Sequence, residues 1–156
     1  MLHFDKLILN NFGPYKGRQV IDFTLESGVT IFWGNNGRGK TTLLNAFRYA
    51  LFGVIQRRNG QLKHLSEMEN EEAKTDGHYG FCVTLKMTND DDKYELTREF
   101  VPRKGVVKPN GDEDYIKEYY LKKNGSILSP SDCEHELNVI MPQQISRFFL
   151  FDAELR

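Results

Sequence analysis

The sequence predicts an α/β fold, and three observations carry that prediction. A β-branched and aromatic run, "GVTIFWG" at residues 28–34, leads directly into the glycine-rich "GNNGRGKT" of residues 34–41. Behind it, Leu43, Leu44, Phe47, Ala50 and Leu51 recur at helical spacing. Further on, "YGFCVTLKM" and "KYELTREFV" alternate apolar and polar residues with the period of two that a half-buried strand requires.

Taken in order, the chain opens on a strand around Leu7, Ile8 and Leu9, whose apolar residues suit burial on both faces. "NFGPYKG" is a turn, with Gly13-Pro14 and Gly17 as breakers. "QVIDFTL" reads as a second strand and "GVTIFWG" as a third, with Trp33 assigned to the core. The helical spacing predicts a helix over residues 40–52, closed by Gly53. Residues 56–78 are polar and weakly patterned, which predicts an excursion over the surface. Two strands follow, joined by the acidic turn "TNDDD". An exposed loop, "RKGVVKPNGDED", then precedes a short strand near "KEYYLKKNG". Ser129-Pro130 is a helix start with proline at the first helical position, and Leu137, Ile140 and Met141 form its inward face.

Composition narrows the class. Hydrophobic residues make up 39% and charged residues 28% of 156, ordinary for one globular domain. A net charge of -1 argues against a strongly basic, general nucleic-acid binder, while 21 Lys and Arg residues leave room for a local basic patch. Cys82 and Cys133 form no CxxC pair, and the four histidines do not fall at metal-ligand spacing with them. The N-terminus carries Asp5 and no long apolar stretch, so it reads as a strand rather than a signal peptide. No segment approaches the length of a membrane span. The expectation is a cytoplasmic protein with no membrane partner.

"GNNGRGKT" matches G-x-x-x-x-G-K-[ST] without a gap. A chance match in a chain this long is roughly a one-in-two-hundred event. The flanking strand and helix are the context the motif needs. Gly34, Gly37 and Gly39 let the backbone bend around a phosphate, so that the N–H groups of Gly34, Asn35, Asn36, Gly37, Arg38 and Gly39 point into the concavity. The positive end of the following helix adds favourable charge. Lys40 reaches the β- and γ-phosphates, the Thr41 hydroxyl holds Mg²⁺, and Thr42 donates to the α-phosphate. The expected ligands are ATP and Mg²⁺. The plain structural alternative is a glycine-rich strand-to-helix turn with no ligand.

"LNNFGPYKG…IDF…GVTIFWGNNGRGKTTLLNAFRYALFG" resembles the N-terminal end of the SMC-like ATPases, including the SbcC-type repair ATPases. "VTLKMTNDDDKYELTREF" is similar to the strand pair that follows in them. "RFFLFDAEL" resembles the "FFLFDGE" segment of the DndD-type ATPases of DNA phosphorothioation (DNA sulfur modification) systems. The resemblance implies an ABC/SMC-type ATPase lobe, a P-loop core with an antiparallel β-subdomain. It places Asp152 and Glu154 where many relatives carry the Gln and Glu of the Q-loop. Asp152 is thereby implied as a Mg²⁺ ligand that positions the attacking water; the structural alternative is a strand-end aspartate facing solvent. Ala153 replaces the glycine of "FDGE". Some relatives place a phosphate-contacting arginine where Gly13 stands here, with Lys16 and Arg18 as nearby substitutes or ordinary turn residues.

An ATPase of this class also needs an apolar strand ending in Asp-Glu and an "LSGG"-like signature, and neither occurs in residues 1–156. In the family both follow a long coiled coil. Residues 1–156 are therefore expected to be the N-terminal lobe of a larger head, with the run Phe148 to Phe151 delivering Asp152 to the metal. The resemblance implies a parent ATPase that binds DNA, closes two heads as a homodimer on ATP and works with other DNA-modification proteins. Three alternatives stand beside it: the ATPase subunit of an SbcC-type repair nuclease, a self-contained P-loop kinase or GTPase, and a nucleotide-gated DNA-binding module without physiological hydrolysis. No Asn-Lys-x-Asp guanine motif supports the GTPase. Arg57, Arg58, Lys63 and His64 are candidates for DNA phosphate contacts, with a solvated loop as the default reading.

Overall fold

The computed structural model describes residues 2–24, 37–57 and 59–141. Six antiparallel strands form one sheet in the order β2-β1-β5-β6-β7-β8. They are β1 (Leu2–Phe12), β2 (Tyr15–Asp22), β5 (Phe81–Asn89), β6 (Asp92–Pro102), β7 (Tyr115–Lys123) and the short edge β8 (Ser126–Ile127). Helix α1 (Gly37–Phe52) packs against one face of this sheet, across β1, β5 and β6. A two-stranded ribbon, β3 (Ile55–Gln56) with β4 (Leu62–Lys63), follows it. Then come a 3₁₀ turn (Leu65–Met68), the short helix α2 (Glu71–Thr75) and, near the C-terminal end, α3 (Pro130–Ile140).

The period-two pattern selects the buried face. Leu7 and Leu9 of β1 meet Leu85 and Val83 of β5 in register, and Leu85 continues to Leu96 of β6 and Leu121 of β7. All are fully buried. The opposite face carries Lys6, Lys86, Glu95 and Lys122, so Ile8 is only half-buried there and β1 has one core face rather than two. Along α1, Leu43, Ala46, Phe47, Tyr49, Ala50 and Leu51 are all buried. Such a helix, apolar on most of its circumference, belongs inside a core. Gly53 ends it with φ +73°, donating its N–H to the Tyr49 carbonyl at 2.8 Å.

The β1–β2 turn is tighter than the sequence suggests, and β2 begins at Tyr15 instead of Gln19. Asn11 takes a positive φ of 54°, and its side-chain oxygen accepts the Gly17 N–H at 2.6 Å, which lets the strand resume at once. The expected helix at Ser129 forms, with the Ser129 side chain accepting the Asp132 N–H at 3.3 Å. Cys133 and Ile140 are its buried residues, with Leu137 and Met141 half-buried beside them. The predicted third strand, with Trp33, and the run Phe148 to Phe151 lie outside the described residues.

Residues 56–78 depart from the expected surface excursion. They hold the β3–β4 ribbon, the 3₁₀ turn and α2, and they bury Leu65, Met68, Ala73, Glu69 and Asn70. Their polar groups make capping and bridging hydrogen bonds, which hides a packed segment behind a composition that resembles a loop.

Candidate functional site

A cavity of about 940 Å³ opens between the start of α1, the β1–β2 turn and the segment from β3 to α2. That is the size range of small-molecule sites. Thr41, Thr42 and Asn45 line it from α1, Gly13 and Pro14 from the turn, and Gln56, Arg57 and Lys63 from the ribbon. Residues 67–72, "EMENEE", close the remaining side.

Each wall is fixed by identifiable bonds. Asn45 binds the ribbon to α1: its Nδ2 donates to the Gln56 carbonyl at 3.0 Å, and its Oδ1 accepts the Gln56 N–H at 2.9 Å. Arg48, fully buried, donates to the same Asn45 oxygen at 3.2 Å. The turn is held to the opposite wall. Gly13 donates its N–H to the Met68 carbonyl at 2.6 Å, and Asn70 Nδ2 donates to the Gly13 carbonyl at 3.0 Å. Gly13 has φ +59°, and a Cβ there would sit 3.0 Å from Met68 Sδ, so a side chain at this position is opposed by both backbone and space.

Glu69 anchors the same wall to the sheet. Its carboxylate, 5% exposed, accepts the Gly80 N–H and the Tyr115 hydroxyl, each at 2.6 Å. Burial, together with this carboxylate, pushes the Tyr115 phenol far above its ordinary pKa. Asp112 reaches across from the β6–β7 loop to cap the 3₁₀ turn, accepting the N–H groups of Leu65 and Ser66 at 3.0 Å each. Its partial burial opposes ionisation, but the Ser66 and Leu65 hydrogen bonds outweigh that and hold the carboxyl below its ordinary value.

The sequence-predicted site residues fall into three groups. Gly34, Asn35, Asn36 and Asp152 lie outside the described residues. Gly37, Arg38, Gly39 and Lys40 form the first turn of α1. Thr41 and Thr42 follow on α1, half-buried and buried respectively, and both line the cavity. A threonine hydroxyl is a hard oxygen donor of the type Mg²⁺ accepts, and Thr41 brings one to the cavity wall. Among the described residues no cluster of three or more His, Cys, Asp or Glu could hold a metal.

Neither candidate substitute for the family's arginine borders the cavity. Lys16 is tied to Asp76 by a hydrogen-bonded ion pair, and Arg18 is exposed on β2 opposite Asn10. Among the described residues the cavity's cations are Arg57 and Lys63, for which the sequence favours a solvated loop. Gln56, 6% exposed, goes unnoticed in the sequence; its Oε1 is buried without a hydrogen-bond partner among the described residues. Two-residue strands carry too little periodicity to reveal any of these. The one legible signal is Asn70, an N-cap residue whose side chain accepts the Ala73 N–H at 2.9 Å.

Comparison with known proteins gives the chain's relatives. Residues 6–155 match the profile of a family described as "AAA domain". The chain is 44% identical over 48 residues to the SbcC subunit of nuclease SbcCD from Treponema pallidum (strain Nichols), covering 31% of this chain and 5% of that protein. It is 26% identical over 155 residues to the SbcC subunit of the same nuclease from Lactococcus lactis subsp. lactis (strain IL1403), covering 91% and 14%. It is 30% identical over 101 residues to the DNA double-strand break repair Rad50 ATPase of Nanoarchaeum equitans (strain Kin4-M), covering 65% and 11%. The chain thus spans between 5% and 14% of the length of these relatives.

Proposed function

The chain belongs to the AAA domain family, and from that premise we propose that it is the N-terminal, ATP-binding lobe of an SbcC/Rad50-like, DNA-processing ATPase. The observation that carries this reading is the cavity at the start of α1, where Thr41 and Thr42 follow "GNNGRGK" and face the Gly13 turn. The phosphates lie at the positive end of α1, with backbone N–H groups as donors and Lys40 as counter-charge. The base and ribose lie toward the Gly13 turn and residues 67–70.

Thr41, with Asp152, would hold Mg²⁺, which when bound neutralises phosphate charge and orients the reacting groups. Thr42 donates to the α-phosphate, and Lys40 stabilises charge on the transferred group. Water activation and the signature contact belong to a second lobe and a partner head. ATP therefore acts first as glue between two heads, shifting them toward the closed state. DNA is the substrate of the assembled protein, and the names of the nuclease and repair relatives support that class. A second reading places the parent protein in DNA phosphorothioation; the observation favouring it is "RFFLFDAEL" at residues 147–155.

The test is a titration of the purified chain with a fluorescent ATP analogue and Mg²⁺. We expect saturable binding, loss of at least about tenfold in affinity for Lys40→Ala, and negligible turnover by the chain alone. Equal binding by Lys40→Ala and the wild type sinks the reading of the loop, and robust turnover sinks the assignment of hydrolysis to a second lobe.

A further inference from the structure

The charges around the cavity do not cancel evenly. Each of its four glutamates meets a donor or a cation within the chain, Glu71 and Glu72 at exposed positions. Glu67 accepts Arg57 Nη2 at 2.9 and 3.3 Å, and Glu69 accepts Gly80 and Tyr115 at 2.6 Å. Glu71 pairs with Lys74 at 3.7 Å, and Glu72 with Lys16 at 4.0 Å. Arg57 is occupied by its bond to Glu67. That leaves Lys63, half-buried on β4, lining the cavity with a side chain that makes no ion pair or hydrogen bond among the described residues.

The position of Lys63 is set by the backbone. It lies opposite Ile55 in the β3–β4 ribbon, and the residue after Ile55, Gln56, is bonded through both its N–H and its carbonyl to Asn45 on α1. Paired strands lie about 5 Å apart, and a lysine stem extends about 6 Å from its Cα. The ribbon therefore holds the Lys63 ammonium within reach of the cavity's interior beside the start of α1. An ammonium that lines a cavity and has no side-chain partner is placed to meet an anion that enters it.

We propose that Lys63 is a nucleotide-binding residue, an ammonium that contacts the phosphate chain of a nucleoside polyphosphate from the ribbon wall of the cavity. This rests on the ATP-binding reading above and adds to it a contact from the ribbon, which the loop motif does not specify. The ligand class is a nucleoside di- or triphosphate. The contact supplies charge, so it weakens with salt and ignores the base.

The experiment measures ATP and adenosine binding to the purified chain, by displacement of a fluorescent nucleotide, at low and high salt. It uses the wild type, Lys63→Gln, Lys63→Arg and Lys40→Ala. The expected result is a loss of about tenfold in ATP affinity for Lys63→Gln, with a shallower salt dependence. Lys63→Arg stays within about threefold of the wild type, and adenosine affinity and the melting temperature of Lys63→Gln are unchanged. ATP binding by Lys63→Gln as tight as the wild type, while Lys40→Ala is impaired, overturns the role of Lys63 and leaves the ATP reading standing. Equal losses for ATP and adenosine also overturn it, since the contact is then to base or ribose. No ATP binding by the wild type removes the ATP reading and this inference together.

Discussion

Asp112 and Glu69 show how single carboxylates shape a cavity without having to touch a ligand. Asp112 caps the 3₁₀ turn from a different part of the chain, and its side chain is 18% exposed. Its folded-state pKa lies below the ordinary 3.8, so its stabilisation is present at neutral pH. That contribution is lost as the pH falls below the unfolded value and through the folded one. Asp112→Asn is expected to lower stability by about 1 kcal/mol near pH 7. The gap to the wild type should narrow as both are taken from pH 7 to below 3.8, toward the lower folded value. Urea midpoints at the two pH values measure this, and a gap that persists in acid rules out the carboxylate as its source. None of this is legible in the sequence, because the partners of Asp112 lie 46 and 47 residues away.

Helix α1 links the cavity at its start to the sheet at its end. Arg98 of β6 donates Nε to the Ala50 carbonyl at 2.9 Å and Nη2 to the Leu51 carbonyl at 3.2 Å, and its guanidinium lies over the Tyr119 ring at 4.5 Å. These bonds satisfy carbonyls that a helix end leaves open and set positive charge at the negative pole. Arg98→Met keeps the stem and removes the donors; it should cost about 2 kcal/mol in urea unfolding. A change within about 0.5 kcal/mol would mean water replaces the cap. Elements with strong periodicity are readable from sequence: α1 from Leu43 to Leu51, β5 and β6 from their alternation, and α3 from Ser129-Pro130. The β3–β4 ribbon and α2 are not. Their two to five residues are fixed across the fold, by Asn45 on Gln56, Asn70 on Gly13 and Glu69 on Gly80, and the Asn70 N-cap is the one local sign of them.

At the scale of the whole molecule, one antiparallel sheet buries one face under α1 and leaves the other lined with lysines, glutamates and threonines. Among the described residues no helix is long and apolar enough to cross a membrane. The cavity forms where three separate stretches converge: the β1–β2 turn, the start of α1 and residues 56–72. The motif announces the second of these and the family resemblance the first, while the third emerges only from packing. The central claim is that ATP occupies this convergence, and amide hydrogen exchange with and without ATP·Mg²⁺ tests it most directly. Bound nucleotide should slow exchange at Gly13, at residues 37–45 and along residues 63–70, and leave β6 and β7 unchanged. Protection confined to other parts of the sheet, or none at saturating ATP, would contradict the account.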